Sequence, residues 1–170
     1  TRTWIVNPQT GTKTKWQERN AQDRYADPGT PMMRPGKGVI MQVGDSVYLS
    51  AGGASPQGDR PYVARMNLLT LAVEKIFQTD EKSYETVAAL LSDDGKQLLT
   101  RWQTKTDFPN YYARDLAAGT KRALTQFKDP APQLTGIQKQ LVTYERKDGV
   151  KLSATVYLPP DYKPGTRLPF

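Results

Sequence analysis

Tyr62-Val63-Ala64-Arg65-Met66, the turn Asn67 to Thr70 and the run Ala72 to Gln78 decide how this chain folds, because their grammar returns later in the sequence. It reappears as Tyr111-Tyr112-Ala113-Arg114-Asp115, Leu116 to Gly119 and Lys121 to Gln126. In each copy polar and apolar residues alternate as a half-buried strand requires, turn formers follow, and a second strand returns. Trp4-Ile5-Val6-Asn7-Pro8-Gln9-Thr10-Gly11-Thr12, within Arg2 to Thr12, begins the same sentence a third time.

Working outward, the sequence predicts strands at Arg2 to Asn7, Gly38 to Val43, Ser46 to Ser50, Pro61 to Asn67 and Ala72 to Gln78. It predicts further strands at Glu85 to Leu91, Gln97 to Thr104, Tyr111 to Asp115 and Lys121 to Gln126. The groups Gly38 to Gln78 and Glu85 to Gln126 each fill about 40 residues, the period of four-stranded propeller blades. The expected fold class is therefore all-β, a partial β-propeller of about two and a half blades, with Arg2 to Thr12 as the tail of a preceding blade.

Composition agrees with this class. Hydrophobic residues make up 37% of the chain, enough for a packed core, and 13 glycines and 13 prolines are scattered as a meander of short strands demands. Ser92-Asp93-Asp94-Gly95-Lys96 marks a hairpin, since Asp-Gly tolerates the positive dihedrals of a tight turn. Asp93 and Asp94 lack the other oxygens at set spacing that a calcium loop needs, so no metal is expected there. Asp27-Pro28-Gly29-Thr30-Pro31-Met32-Met33-Arg34-Pro35-Gly36 reads as an ordered connection whose methionines fill gaps between blades.

The sharpest change of character is Asp129-Pro130-Ala131-Pro132-Gln133-Leu134, which sets the expected boundary between residues 1–132 and 133–170. Beyond it, Lys139 to Lys147 and Val150 to Leu158 flank Asp148-Gly149 and should form a hairpin. Val150, Leu152, Ala154, Val156 and Leu158 alternate with Lys151, Ser153, Thr155 and Tyr157, giving the second arm one apolar face.

Charge and composition exclude several functions. The net charge is +7, yet basic and acidic residues interleave nearly everywhere, so no dedicated nucleic-acid face is expected. No apolar run approaches the roughly 18–20 residues of a membrane span, and Thr1-Arg2-Thr3-Trp4-Ile5-Val6 reads as internal sequence rather than as a signal peptide. The absence of cysteine removes disulfides and thiolate metal sites without choosing a compartment. The absence of histidine removes the usual general base and the commonest metal ligand together.

Arg146-Lys147-Asp148-Gly149-Val150-Lys151-Leu152-Ser153-Ala154-Thr155-Val156-Tyr157-Leu158-Pro159-Pro160-Asp161-Tyr162, leading on to Leu168-Pro169-Phe170, resembles the first hairpin of the peptidase domain in the prolyl oligopeptidase family. Tyr25-Ala26-Asp27-Pro28-Gly29-Thr30-Pro31-Met32-Met33-Arg34 and Tyr84-Glu85-Thr86-Val87 resemble its glutamyl endopeptidase-like branch. The resemblance implies a serine peptidase in which an N-terminal propeller caps a C-terminal α/β-hydrolase domain. This chain would hold the last blades and the first hydrolase hairpin, with a peptide as substrate and the remainder of the peptidase domain as partner. The family's nucleophilic serine, aspartate and histidine would all lie beyond Phe170, so the chain offers no catalytic, cofactor-binding or metal-binding residue of its own.

Gly53-Ala54-Ser55-Pro56-Gln57-Gly58 begins like a nucleophile elbow but fails in detail. Its second glycine falls one residue late, proline follows the serine, and no histidine exists to serve as base. A branch that cuts after glutamate needs a cation for the substrate carboxylate, and Arg34, Arg65, Arg101 and Arg114 are the candidates; as single arginines they read first as structural or surface residues. The competing expectation is a non-enzymatic β-propeller binding module with a basic surface.

Overall fold

A computed structural model describes residues 1–168. Within them the chain is all-β, and its one helix is the single 3₁₀ turn Pro132–Leu134. None is long and apolar enough to cross a membrane. Two compact units divide the chain, one from Thr1 to Lys128 and one that begins at Asp129. Of the stretch Leu168-Pro169-Phe170 to which the resemblance leads, Pro169 and Phe170 lie outside the described residues.

The first unit holds three sheets. Strands β1 (Arg2–Val6) and β2 (Lys13–Glu18) form an antiparallel hairpin. The second sheet comprises β3 (Thr30–Pro31), β4 (Gln42–Val43), β5 (Ser46–Ala51), β6 (Tyr62–Asn67) and β7 (Val73–Gln78), in the order β3-β5-β6-β7 with β4 also paired to β5. The third is a four-stranded meander of β8 (Tyr84–Leu90), β9 (Gln97–Gln103), β10 (Asn110–Asp115) and β11 (Thr120–Ala123).

One turn is used three times. Asn7, Asn67 and Asp115 each accept two backbone N–H bonds through Oδ1, from Gln9 and Thr10, from Leu69 and Thr70, and from Ala117 and Ala118. Short side chains of this kind close such turns by standing in for a backbone carbonyl. Each turn then places one residue in the left-handed region: Gly11 (φ 71°), Leu71 (φ 59°) and Gly119 (φ 65°).

The strand after each turn carries the same irregularity. The register slips between Thr3 and Trp4, leaving Trp16 unpaired, and between Val63 and Ala64, leaving Ile76 unpaired. In the third sheet the Tyr111 carbonyl accepts from both Leu124 (2.8 Å) and Thr125 (3.4 Å), so Leu124 takes the corresponding place. A bulge of this kind re-aims one side chain. Trp16 and Ile5 accordingly pack on Val47, Leu49 and Met66 of the second sheet.

The larger core joins the second and third sheets. Met32, Met41, Tyr48 and Val63 from one meet Leu90 and Leu98 from the other, with Ile76, Phe77 and Val87 at the edge. Tyr48 is 2% exposed and donates its hydroxyl hydrogen bond to the Asp93 carbonyl (2.8 Å). Gly95, at the tip of that expected hairpin turn, lies so close that a Cβ would meet Tyr48 Cε1 at 2.6 Å and Ile76 Cδ1 at 3.0 Å. Only glycine permits this approach.

The structure differs from the sequence reading along the outer edge of the second sheet. Gly38 to Val43 is not one strand: pairing comes from β3, inside the segment read as a connection, from β4, and from an isolated bridge between Met33 and Ile40. Pro31 and Pro35 each remove a ladder donor, which confines regular pairing to short pieces at an edge. The last strand of the third sheet is also shorter than expected, ending at Ala123 where the bulge begins.

In the second unit β12 (Gln138–Glu145) and β13 (Lys151–Leu158) form the expected hairpin around Asp148-Gly149, with Gly149 at φ 84°. The register places Val142 opposite Ala154 and Tyr144 opposite Leu152, so those residues share a face with Val156 and Leu158. Every residue of β12 is exposed. Arg146 bonds the Asp148 carboxylate at 2.8 and 2.6 Å and holds its pKa below the usual range, while Asp148 in turn raises that of Arg146.

Candidate functional site

A cavity of about 500 Å³ in the first unit opens where three loops converge: the segment before β3, the β5–β6 loop and the β7–β8 turn. Each loop is shaped by its own turn chemistry. Gly53 takes φ 61°, and a Cβ there would fall 2.0 Å from the Arg60 carbonyl, so this glycine lets the β5–β6 loop close on itself. Asp80 accepts from the N–H groups of Lys82 and Ser83 and from the Ser83 hydroxyl (2.9, 2.7 and 2.9 Å). These bonds, the Ser83 hydroxyl foremost, hold the Asp80 carboxyl below its ordinary pKa.

Charge in the cavity is largely self-paired. Arg24 bonds Asp59 at 2.6 Å, and Arg60 reaches Glu81 at 3.4 Å and the Thr79 carbonyl at 3.2 Å. Lys75 stands 4.5 Å from the Tyr62 ring centroid and makes no ion pair among the described residues. Burial is the first cause that pushes the Tyr62 pKa up, reinforced by Asp27. Lys75 is thus the cation of this cavity that no carboxylate pairs among the described residues, and its ammonium donors face an incoming anion uncompensated.

The hydroxyls of the cavity are taken up in its turns: Ser83 bonds the Asp80 carboxylate at 2.9 Å, through an oxygen that also accepts two backbone N–H groups of the same turn. Ser55, on its wall, donates its hydroxyl hydrogen bond to the Gly58 carbonyl (2.7 Å) and accepts from the Gln57 N–H, which is the geometry of a closed turn rather than of an elbow. The chain has no histidine to activate it.

None of the four arginines singled out in the sequence lines this cavity. Arg34 bonds Asp93 at 2.8 Å and ties the second sheet to the β8–β9 turn. Arg65 bonds Glu74 of the neighbouring strand at 2.7 Å. Arg114 makes a two-pronged pair with Glu85 (3.1 and 2.7 Å) and lies over the Phe77 ring, and Glu85 is only 2% exposed. Arg101 is exposed and makes no ion pair among the described residues. Asp94 is likewise occupied, accepting from the Ser92 hydroxyl (2.6 Å) and the Lys96 N–H (3.0 Å).

Sequence reasoning missed the grouping of Arg24, Arg60 and Lys75. Arg24 and its partner Asp59 are 35 positions apart, and only the tertiary fold joins them.

No protein-family model matches the chain. Two solved structures of the AtxE2 isopeptidase align with it: a variant with Astexin3-dC4 bound (16% identity, TM-score 0.42, 98% of this chain and 31% of that one) and the apo form (18%, 0.43, 74% and 18%). By sequence the chain is 38% identical to a probable chloroplastic glutamyl endopeptidase of Oryza sativa subsp. japonica, over 96% of its own length and 20% of that protein's. It is 36% identical to the Arabidopsis thaliana protein of the same description, over 96% and 19%. Along nearly its whole length, then, the chain is similar to glutamyl endopeptidases, and it spans about a fifth of the length of these relatives.

Proposed function

We propose that these residues belong to a serine peptidase of the prolyl oligopeptidase family, its activity residing in the complete polypeptide. In this reading residues 1–132 are the last blades of a β-propeller, and residues 133–170 are the linker and first hairpin of an α/β-hydrolase domain. The observation that carries it is the 38% identity over 96% of the chain. The repeated turn and bulge in three successive sheets support the propeller, since blades are copies of one supersecondary unit.

The reaction would be acyl transfer. A serine outside these residues attacks the peptide carbonyl, a histidine accepts its proton and passes it to the leaving amine, backbone amides stabilise the oxyanion, and water releases the acyl group. The blades would restrict entry and shape the substrate cavity at the domain interface, where such sites commonly form. A peptide substrate and the remainder of the peptidase domain are the partners this assigns.

The test is turnover by the complete polypeptide of two peptides that differ only by glutamate or glutamine at one bond. Cleavage after glutamate at least about a hundredfold faster in kcat/KM is expected, because a site built to pair a carboxylate is left unmatched by the amide. Absence of cleavage in both would overturn the peptidase reading.

A further inference from the structure

The charges that line the cavity of the first unit cancel one another, with one exception among the described residues. Asp59 holds Arg24 at 2.6 Å, Glu81 faces Arg60 at 3.4 Å, and Asp27 is taken at 2.8 Å by Arg19 from outside the lining. Asp80 is satisfied by the three donors of its own turn. Lys75 is left over, its ammonium seated on the Tyr62 ring rather than on a carboxylate. The ring quadrupole attracts a cation without neutralising it, so the charge and its N–H donors stay available. A cationic guest would find every carboxylate of the lining already partnered, and a phosphate dianion would call for a second cation or a fork of N–H donors. One uncompensated positive charge matches one carboxylate.

We infer that this cavity receives an acidic side chain of a peptide, with Lys75 as the cation that reads its charge. The inference rests on the peptidase reading of the complete polypeptide and gives that reading a specificity-determining residue. The cavity volume of about 500 Å³ lies within the roughly 300–1,000 Å³ of ligand pockets. Tyr25, 70% exposed in the lining, offers an aromatic face to the methylenes of a glutamate side chain. The Gln57 side-chain amide, which makes no hydrogen bond among the described residues, can pair with peptide backbone. Glu81 already places a carboxylate in the lining, on Arg60. Its side chain is 82% exposed, and its 3.4 Å pair is the longest arginine–carboxylate pair among the described residues, so a carboxylate brought in by a peptide can displace it at little loss.

The test uses the complete polypeptide and peptides in pairs, each pair differing by glutamate or glutamine at one position, which is moved along the peptide from the cleaved bond outward. Measuring kcat/KM for both members gives a glutamate-to-glutamine ratio at every position. Lys75→Gln should lower that ratio at least about tenfold at one position and not at the others, and Lys75→Arg, which keeps the charge, should restore most of it. A Lys75→Gln variant that slows both members of every pair equally, or whose ratios match the parent's throughout, would overturn the inference and leave the peptidase reading standing. A complete polypeptide that cleaves none of the peptides would overturn that reading, and the inference with it. Inorganic phosphate at constant ionic strength is the second probe. Competition by phosphate that disappears in Lys75→Gln, with no change in any ratio, would make the cavity a phosphate site and overturn its assignment to an acidic peptide.

Discussion

Leu71 holds the left-handed position that glycine fills in the other two copies of the turn, at φ 59°. A side chain there costs about 1–2 kcal/mol, so Leu71→Gly should stabilise the fold by about 1 kcal/mol after the greater unfolded-state entropy of glycine is deducted. Thermal unfolding checks this; a lowered midpoint would show that Leu71 packing outweighs its backbone strain. The Glu85–Arg114 pair is governed by different physics. Glu85→Gln strips the anion from a partly buried guanidinium and should destabilise by about 2 kcal/mol, whereas Glu85→Met with Arg114→Met should recover most of that loss. Denaturant titration of the single and double variants decides, and a double variant as weak as the single would refute the account of the pair.

At the scale of elements, hairpins were legible wherever chemistry was local. Asp94-Gly95 and Asp148-Gly149 announce their turns, and the alternation in β6, β10 and β13 fixes which residues share a face. The edge piece β3 was not legible, because it lies among Pro28, Pro31 and Pro35, and of the expected strand Gly38 to Val43 only its end forms β4; both two-residue pairings are imposed by the neighbouring strand β5. The cavity was hidden for the same reason: its walls come from three loops with no common motif. The β12–β13 hairpin shows the energetic counterpart, since its face of Val142, Tyr144, Leu152, Ala154, Val156 and Leu158 belongs to a two-stranded sheet, which is marginal in water by itself. In the 170-residue chain its amides should exchange with solvent at least about a hundredfold faster than those of β9, whose own Leu98 and Thr100 are fully buried. Comparable protection of the two strands would show that the hairpin is independently stable.

At the scale of the whole molecule, three sheets built on one turn and one bulge stack in chain order, and a separate hairpin follows the proline-rich segment at Asp129. The sequence carried the repeat and the resemblance, and it carried the missing chemistry too: with no histidine, the closed turn at Ser55 cannot work as a triad. The central claim is that this region serves a serine peptidase whose nucleophile lies elsewhere in the polypeptide. The most direct measurement is to label the complete polypeptide with a fluorophosphonate and locate the adduct by mass spectrometry. The account predicts one modified serine, outside residues 1–170. An adduct on Ser55 or any other serine of this region, or no adduct on a folded protein, would contradict it.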